Sequence, residues 1–186
     1  MAPLRWGILS AGKISNDFCA ALSTLPAKDH KVVAVAARSL SDAKSFAGKY
    51  EISKFYEGYD KLAQDPEIGE QNFYLQINSS CKIIFIIFAD IVYIGSVNSN
   101  HLEHGTLMLN GGKHILCEKP LTLNENQSKK LLELAKSKNL LCVEAIWSRF
   151  FPSYKLLRSR IDNGDLGEIL EVDVSFGFNL TAERVV

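Results

Sequence analysis

The sequence lacks an excess of charge of either sign, because 21 Lys and Arg residues balance 21 Asp and Glu residues. Without a basic excess, the chain has no electrostatic footprint for the phosphate backbone of a nucleic acid. It also lacks a long hydrophobic run, since the longest, residues 83–89, is far below the roughly 20 residues that cross a bilayer. The first seven residues lack the apolar stretch of a signal peptide. We therefore expect no nucleic-acid partner, no membrane partner and a cytoplasmic protein.

Cysteine and histidine are sparse, with four residues of each type. The cysteines form no Cys-x-x-Cys pair, and no paired histidine spacing accompanies them; they are Cys19, Cys81, Cys117 and Cys142. We therefore expect no metal site, and free thiols in a reducing compartment. Three histidines belong to no functional motif, and we expect them at the surface or at strand edges: His30, His104 and His114.

What the chain does have is an ordinary globular composition, 47% hydrophobic and 10% aromatic, which suffices for a buried core. Short apolar runs alternate with segments of helical spacing along its length. The runs predict strands at residues 4–10, 31–37, 55–56, 90–95, 113–117 and 140–144. Repeated strand–helix units of this kind predict a doubly wound α/β fold of the Rossmann type, with a parallel sheet covered on both faces.

Several residues mark the ends of the expected helices. Pro26 is expected to end the first helix, and Ser41 to cap the start of the second. Asn124, with Gln127 three residues later, resembles a capping box that opens a later helix.

The turn after the first strand carries a partial phosphate-binding motif. Compared with Gly-x-Gly-x-x-Gly, residues 10–15 keep the middle glycine as Gly12 and replace the outer two with Ser10 and Ser15. The middle glycine is the position at which a side chain would collide with a pyrophosphate. A nucleotide site at the start of the first helix and an ordinary strand–helix turn both remain open from these residues alone.

The end of the second strand bears on the choice of nucleotide. A site for NAD places a carboxylate there to accept a hydrogen bond from the ribose 2′-hydroxyl. This chain has Ala37 and Arg38 instead, and a guanidinium binds a 2′-phosphate in a bidentate manner. The residues therefore favour NADP over NAD, with a solvent-facing arginine as the alternative.

The strand at residues 113–117 runs directly into Glu118, Lys119 and Pro120. Ligands of open α/β sheets bind beyond the carboxyl ends of the strands, so a lysine here points toward the nicotinamide region of a dinucleotide. Its ammonium group could bind a substrate hydroxyl and ease deprotonation while hydride leaves the same carbon. Taken in isolation, a surface lysine is the simpler interpretation.

A wider set of residues resembles the glucose–fructose oxidoreductase/inositol dehydrogenase (Gfo/Idh/MocA) family. The resemblance is carried by residues 90–94, Asn98, His101, the run Gly-Gly-Lys-His-Ile-Leu-Cys-Glu-Lys-Pro at 111–120, and residues 144–152. It implies a Rossmann-type enzyme that transfers hydride between NADP and a hydroxyl of a sugar or cyclic diol, such as D-xylose or a trans-dihydrodiol. It also implies that full-length relatives are homodimers.

The resemblance implies roles for individual residues. Lys119 matches the catalytic lysine, and His101 matches a second catalytic residue, a histidine that helps to shape the site. The matched coenzyme-binding positions are Ser10, Gly12, Ile14, Ala37, Arg38, Asn98, Glu118 and Lys119. Positions near the substrate pocket or domain junction are Trp147, Arg149 and Phe176, although core packing is the simpler interpretation of the two aromatic rings.

Residues 69–89 depart from the family, whose members pass directly from an Asp-Pro-x-Ile turn into the strand that begins here at Asp90. The segment contains a β-prone run at 82–88 that could compete with residues 90–95 for the central place in the sheet. Our hypothesis is a retained intron or a gene-model artefact. A genuine surface loop is the alternative, although unstructured loops longer than about 15 residues are uncommon in compact domains.

We predict two domains, a dinucleotide-binding domain at residues 1–145 and, at 146–186, the beginning of a truncated α+β domain for substrate and dimerisation. The second begins with a predicted helix at 152–163 and an alternating strand at 169–178. The family continues beyond this point with the dimer interface and a residue that completes proton transfer. The rival hypotheses are therefore a truncated NADP(H)-binding module without turnover, or a product that never folds well.

Overall fold

Six strands form one parallel sheet in the computed structural model of the protein, which describes residues 3–66, 68 and 91–177. The strands are β1 (Leu4–Leu9), β2 (His30–Ala37), β3 (Lys54–Glu57), β4 (Ile91–Ile94), β5 (His114–Glu118) and β6 (Cys142–Ala145). Their order is β3-β2-β1-β4-β5-β6, and each neighbouring pair is parallel. The predicted doubly wound α/β fold is confirmed, and its strand order reverses between β1 and β4.

Helices cover both faces of this sheet. They are α1 (Lys13–Leu22), α2 (Leu40–Lys49), α3 (Tyr59–Gln64), α4 (His101–Asn110) and α5 (Glu125–Ser137). Helices α1 and α2 pack in one buried cluster with Ile8, whereas α3, α4 and α5 pack in another with Leu9. Successive strand side chains point to opposite faces, so β1 contributes to both cores.

Side-chain caps begin α2 and α5, and the cap of α2 differs from the prediction. Ser39, not Ser41, caps α2, because its hydroxyl accepts the backbone N–H of Asp42 at 3.1 Å. Ser39 lies two residues after β2 in extended backbone, as a capping residue requires, and Ser41 is already helical. The Asn124 cap is confirmed, because Asn124 Oδ1 accepts the N–H of Gln127 at 3.0 Å.

His104 and His114 were expected at the surface or at strand edges, and both are buried. The expectation is wrong for His104, which lies within α4, whereas His114 is the first residue of β5. His104 and His114 are each only 6% exposed. The Nδ1 atom of His104 lies 2.8 Å from Ser96 Oγ, and the Nδ1 atom of His114 accepts the N–H of Leu141 at 2.8 Å. In each histidine, this partner gives the buried Nδ1 atom a hydrogen bond that it would otherwise lack. His30 is half-buried.

The chain divides into two compact units, Met1–Ile146 and Trp147–Val186. In the second unit, a short 3₁₀ helix at Trp147–Phe150 precedes α6 (Pro152–Asp162). The predicted strand at 169–178 is not formed over its described part, residues 169–177. A strand needs a partner for its backbone hydrogen bonds, and no strand among the described residues pairs with this segment.

The predicted competition for the central place in the sheet concerns residues 69–89, which lie outside the described residues. Ile91–Ile94 occupies that place, pairing with β1 on one side and β5 on the other. In the described part of the chain, no helix combines the length and apolar character needed to cross a membrane.

Candidate functional site

The turn between β1 and α1 has the backbone of a glycine-rich loop although it contains one glycine. Ser10 has a φ angle of 85°, in the left-handed region that favours glycine. Gly12 caps α1 with a φ angle of −78°, which any residue can adopt. A Cβ atom at Gly12 would lie 3.5 Å from Ser10 Oγ and 3.9 Å from the carbonyl oxygen of Gly95. The described structure therefore does not require glycine at 12, whereas the close approach of a ligand would.

Ser15 stands at the position of the third glycine of the motif, and Gly95 leaves the space that its side chain needs. It is fully buried in the first turn of α1, where helix and sheet approach closely. A Cβ atom on Gly95, directly after β4, would collide with Ser15 Oγ and lie 3.0 Å from Tyr93 Cε1. The close packing that usually depends on a glycine in the helix is thus achieved by a glycine at the strand end.

A cavity of about 350 Å³ opens beside this turn, at the carboxyl ends of β1 and β2. It brings together four of the predicted coenzyme-binding residues, and its lining is Ser10, Ala11, Gly12, Asn16, Ala37, Arg38, Asp42, Ser45, Phe46, Lys49 and Tyr59. Ile14, also predicted, is not part of this lining and is partly exposed on α1. Anionic ligands bind well at such helix starts, because unpaired backbone N–H groups point at them.

Tyr59 is a lining residue that the sequence did not single out. Its hydroxyl forms a hydrogen bond with the side chain of Ser10, and its ring meets that of His104 edge-on at 4.6 Å between centroids. Burial raises the pKa of Tyr59, while the positive charge of Arg38 and the hydrogen bond to Ser10 act in the opposite direction. Tyr59 therefore remains a neutral hydrogen-bonding group beside Arg38.

Lys119 lies beyond the carboxyl end of β5, and hydrogen bonds on both sides fix its backbone. Glu118 accepts the hydroxyl of Tyr93 at 2.7 Å with one oxygen and the N–H of Lys119 at 3.3 Å with the other. Glu144, near the end of β6, accepts the N–H of Leu121 at 2.8 Å. The Lys119 side chain itself is exposed and is therefore open to a ligand.

His101 is fully buried at the start of α4. Its Nδ1 atom lies 2.8 Å from the carbonyl oxygen of Pro120, and its Nε2 atom lies 3.0 Å from that of Ser96. The ring therefore links the loop after β4 to the loop that carries Lys119. This geometry suits a residue that positions Lys119, because neither nitrogen is turned toward the solvent. Asn98, in the 3₁₀ turn Asn98–Asn100, is exposed.

The three residues predicted near the substrate lie in the other compact unit, Trp147–Val186. The Trp147 ring meets Phe151 edge-on at 5.1 Å between centroids, and Arg149 is exposed in the same turn. Phe176 is 71% exposed. Neither aromatic ring is buried, so core packing does not explain either of them in the described structure.

Sequence reasoning gave no role to Tyr59, which lines the cavity, or to Tyr93 and Ser96, which support the site. The roles of these residues follow only from which elements are neighbours in the fold. Glu144 carried a weak signal, because it lies near the end of one parallel strand as Glu118 lies at the end of the next.

The cysteines and the other acidic and histidine side chains form no metal centre in the described ranges. Cys19, Cys117 and Cys142 are free thiols. Burial raises the pKa of Cys19 and of Cys117 to about 12, so both thiols stay protonated near neutral pH.

Known proteins similar to this chain are oxidoreductases. Residues 86–145 match the GFO_IDH_MocA model, described as an oxidoreductase family with an NAD-binding Rossmann fold. The chain is 42% identical over 176 residues to the trans-1,2-dihydrobenzene-1,2-diol dehydrogenase of Xenopus tropicalis, and 42% identical over 177 residues to that of Homo sapiens. Each alignment covers 95% of this chain and 47% of the relative, so the chain spans about half the length of these relatives.

Solved structures agree with this assignment. An NAD-binding oxidoreductase from Klebsiella pneumoniae superposes with a TM-score of 0.71 at 25% identity, over 90% of this chain and 40% of that one. A 3-ketoreductase from Actinomadura kijaniata in complex with NADP gives a TM-score of 0.70 at 26% identity, over 89% of this chain and 46% of that one. The chain is 42% identical to curated relatives over nearly its whole length, and the strand order of its sheet reverses beside the turn that contains Gly12. This chain therefore belongs to the Gfo/Idh/MocA family of Rossmann-fold oxidoreductases.

Proposed function

We propose that the chain forms the coenzyme-binding part of an NADP-dependent oxidoreductase that moves hydride between nicotinamide and a hydroxyl of a sugar or cyclic diol. The observation that carries the proposal is the cavity beside Gly12, where neither backbone conformation nor packing requires a glycine. A dinucleotide pyrophosphate bound at the start of α1 explains why position 12 is a glycine, because the pyrophosphate must approach the backbone closely.

The preference for NADP rests on Arg38. Its guanidinium lies in the cavity lining directly after β2, and it is exposed to a ligand. A guanidinium there binds a 2′-phosphate through charge-assisted hydrogen bonds. The 3-ketoreductase from Actinomadura kijaniata, which has a similar fold, was solved with NADP.

The chemistry rests on Lys119. NADP⁺ bound here would supply the acceptor for hydride from the carbinol carbon of the substrate. The exposed ammonium group of Lys119 would donate a hydrogen bond to the substrate hydroxyl and favour the loss of its proton to solvent. Glu118, Glu144 and His101 hold the loop that carries this lysine.

The substrate and partners follow from the relatives. The curated relatives are named for trans-1,2-dihydrobenzene-1,2-diol, and the family resemblance adds D-xylose. We propose a homodimer for the full-length protein and a cytoplasmic location, which the free thiols among the described residues support.

The test combines coenzyme binding with turnover. Nicotinamide fluorescence measures NADPH binding, and the nicotinamide absorbance band measures oxidation of D-xylose and of trans-1,2-dihydrobenzene-1,2-diol by NADP⁺. Arg38→Asp should weaken NADPH binding by about tenfold or more. Lys119→Met should abolish turnover, since its ammonium acts on the substrate, and it should weaken NADPH binding less than Arg38→Asp does. Lys138→Met, at the exposed end of α5, is the matched control.

A coenzyme-binding module without turnover is the second candidate. It is favoured by the second compact unit, in which every described residue except Ser148 is exposed. NADPH binding without oxidation of either substrate would support the module. Failure of the chain to bind NADPH would contradict both candidates.

A further inference from the structure

We propose that Asp42 is a specificity-determining residue of the cavity and lets the chain accept NAD(H) as well as NADP(H). Its carboxylate accepts a hydrogen bond from the adenosine ribose of NAD(H) and repels the 2′-phosphate of NADP(H). The inference rests on the proposed coenzyme-binding function. Asp42 reduces the preference for NADP(H) over NAD(H) that Arg38 alone would give.

Asp42 is held in the cavity by the start of α2. Its backbone N–H donates to Ser39 Oγ at 3.1 Å, and the Ser39 and Ser41 hydroxyls are 3.0 Å apart. This cap fixes the first turn of a ten-residue helix immediately after Arg38. Asp42 and Arg38 line the same cavity as Gly12. The two charged side chains therefore face the same part of a bound dinucleotide.

The cavity lining carries two cations, Arg38 and Lys49, and one carboxylate, that of Asp42. The other lining cation, Lys49, is bonded to Asn16 Oδ1, which also accepts the hydroxyl of Tyr50 at 2.7 Å. Among the described residues, the Asp42 carboxylate has no hydrogen bond or ion pair to another side chain. It is exposed and available to a ligand.

The two coenzymes differ at the group that these side chains face. The 2′-hydroxyl of NAD(H) is a donor, and a carboxylate at this end of the sheet accepts from it. The 2′-phosphate of NADP(H) is attracted by Arg38 and repelled by Asp42. A single charge beside a charged ligand group near the protein surface changes the dissociation constant of that ligand by about three- to tenfold. Asp42 thus offsets much of the advantage that Arg38 gives to NADP(H).

Two substitutions separate the charge of Asp42 from its hydrogen bond. Asp42→Asn removes the charge and keeps an acceptor oxygen, whereas Asp42→Ala removes both. The 186-residue chain and its variants are titrated with NADPH and with NADH at low ionic strength, with nicotinamide fluorescence as the readout. Glu125→Gln is the matched control, because it removes an exposed acid from the first turn of α5, outside the cavity.

We expect the unaltered chain to bind both coenzymes. Asp42→Asn should lower the dissociation constant of NADPH by about five- to tenfold and leave that of NADH within about twofold of the parent value. Asp42→Ala should tighten NADPH similarly and weaken NADH by about fivefold. An NADPH dissociation constant of Asp42→Asn within twofold of the parent overturns this inference alone. Binding of neither coenzyme by the parent overturns it together with the proposed function.

Discussion

At the scale of single residues, the motif around Gly12 shows how a glycine can be replaced without losing the geometry that it supports. Ser10 keeps the positive φ angle of the first glycine. Ser15 stands at the third position, and the space that it needs is provided by Gly95. A side chain at Gly12, by contrast, would enter the space of the ligand itself. The serines are therefore tolerated by local adjustments that have no counterpart at Gly12.

We predict that Gly95→Ala destabilises the chain by about 1–3 kcal/mol, because the new methyl group collides with buried Ser15. Ser15→Gly should recover most of that loss in the double variant, since it removes the colliding hydroxyl. Urea unfolding of the parent, both single variants and the double variant gives the coupling energy. Losses that simply add would contradict the packing described here.

The sequence identified the ligand-facing residues of the cavity better than it identified buried polar residues. Gly12 and Arg38 were found because their positions after β1 and β2 have a chemical meaning in a parallel sheet. His104 was misplaced because its burial depends on Ser96, and the burial of His114 depends in the same way on Leu141; both partners belong to other parts of the chain. Such partners become visible only when the elements have been packed.

At the scale of elements, the loop after β5 is fixed by its neighbours rather than by its own sequence. Glu144 binds it from β6, and His101 binds it from α4. The bond from Tyr93 on β4 orients Glu118 at the base of the loop. Because parallel strands end at the same edge of the sheet, groups that are far apart in the chain converge on Lys119.

We predict that Glu144→Leu destabilises the chain by about 1–3 kcal/mol, because the N–H of buried Leu121 loses its acceptor. Glu144→Gln retains an acceptor oxygen and should cost less than about 1 kcal/mol. Thermal unfolding measures both variants, and amide exchange at Leu121 reports the loop directly. Glu133→Leu, at an exposed position of α5, controls for the change in polarity. Equal losses in Leu and Gln variants would show that the hydrogen bond is not what matters.

The strands of the sheet could be predicted from the sequence, whereas the strand predicted at 169–178 is not formed over its described part. Each strand of the sheet has a partner within the chain, so its apolar run and its pairing agree. Residues 169–177 alternate in the same way, yet they have no partner strand among the described residues. Alternation indicates which side chains would share a face, and it does not supply the neighbouring strand that forms the ladder.

At the scale of the whole molecule, the sheet consists of two halves that meet at β1 and β4. The chain passes between them through residues 69–89, which lie outside the described residues. A Cβ atom on Gly7 would lie 3.2 Å from both Ile68 Cδ1 and Val92 Cγ2. The residues on either side of the segment therefore pack against the same point of β1.

We predict that deletion of residues 69–89 leaves the fold and the coenzyme site intact, because the flanking residues already lie close together and a shorter connection costs less entropy. The melting temperature should stay the same or rise, and the NADPH dissociation constant should stay within about twofold. A polar replacement of equal length is the control for loop length. A clear fall in melting temperature would show that the segment belongs to the packed structure. Transcripts amplified across this region would show whether it is expressed.

The reversal of strand order between β1 and β4 also bears on how the molecule could be divided into two fragments and reassembled. Gly12 and Arg38 belong to the amino-terminal half, whereas Lys119 belongs to the carboxyl-terminal half. Two separate polypeptides cut between Ile68 and Ile91 would retain the parallel ladder through which they recognise each other. A dinucleotide spanning the seam would bind both pieces at once, so its addition should draw the complementary fragments together.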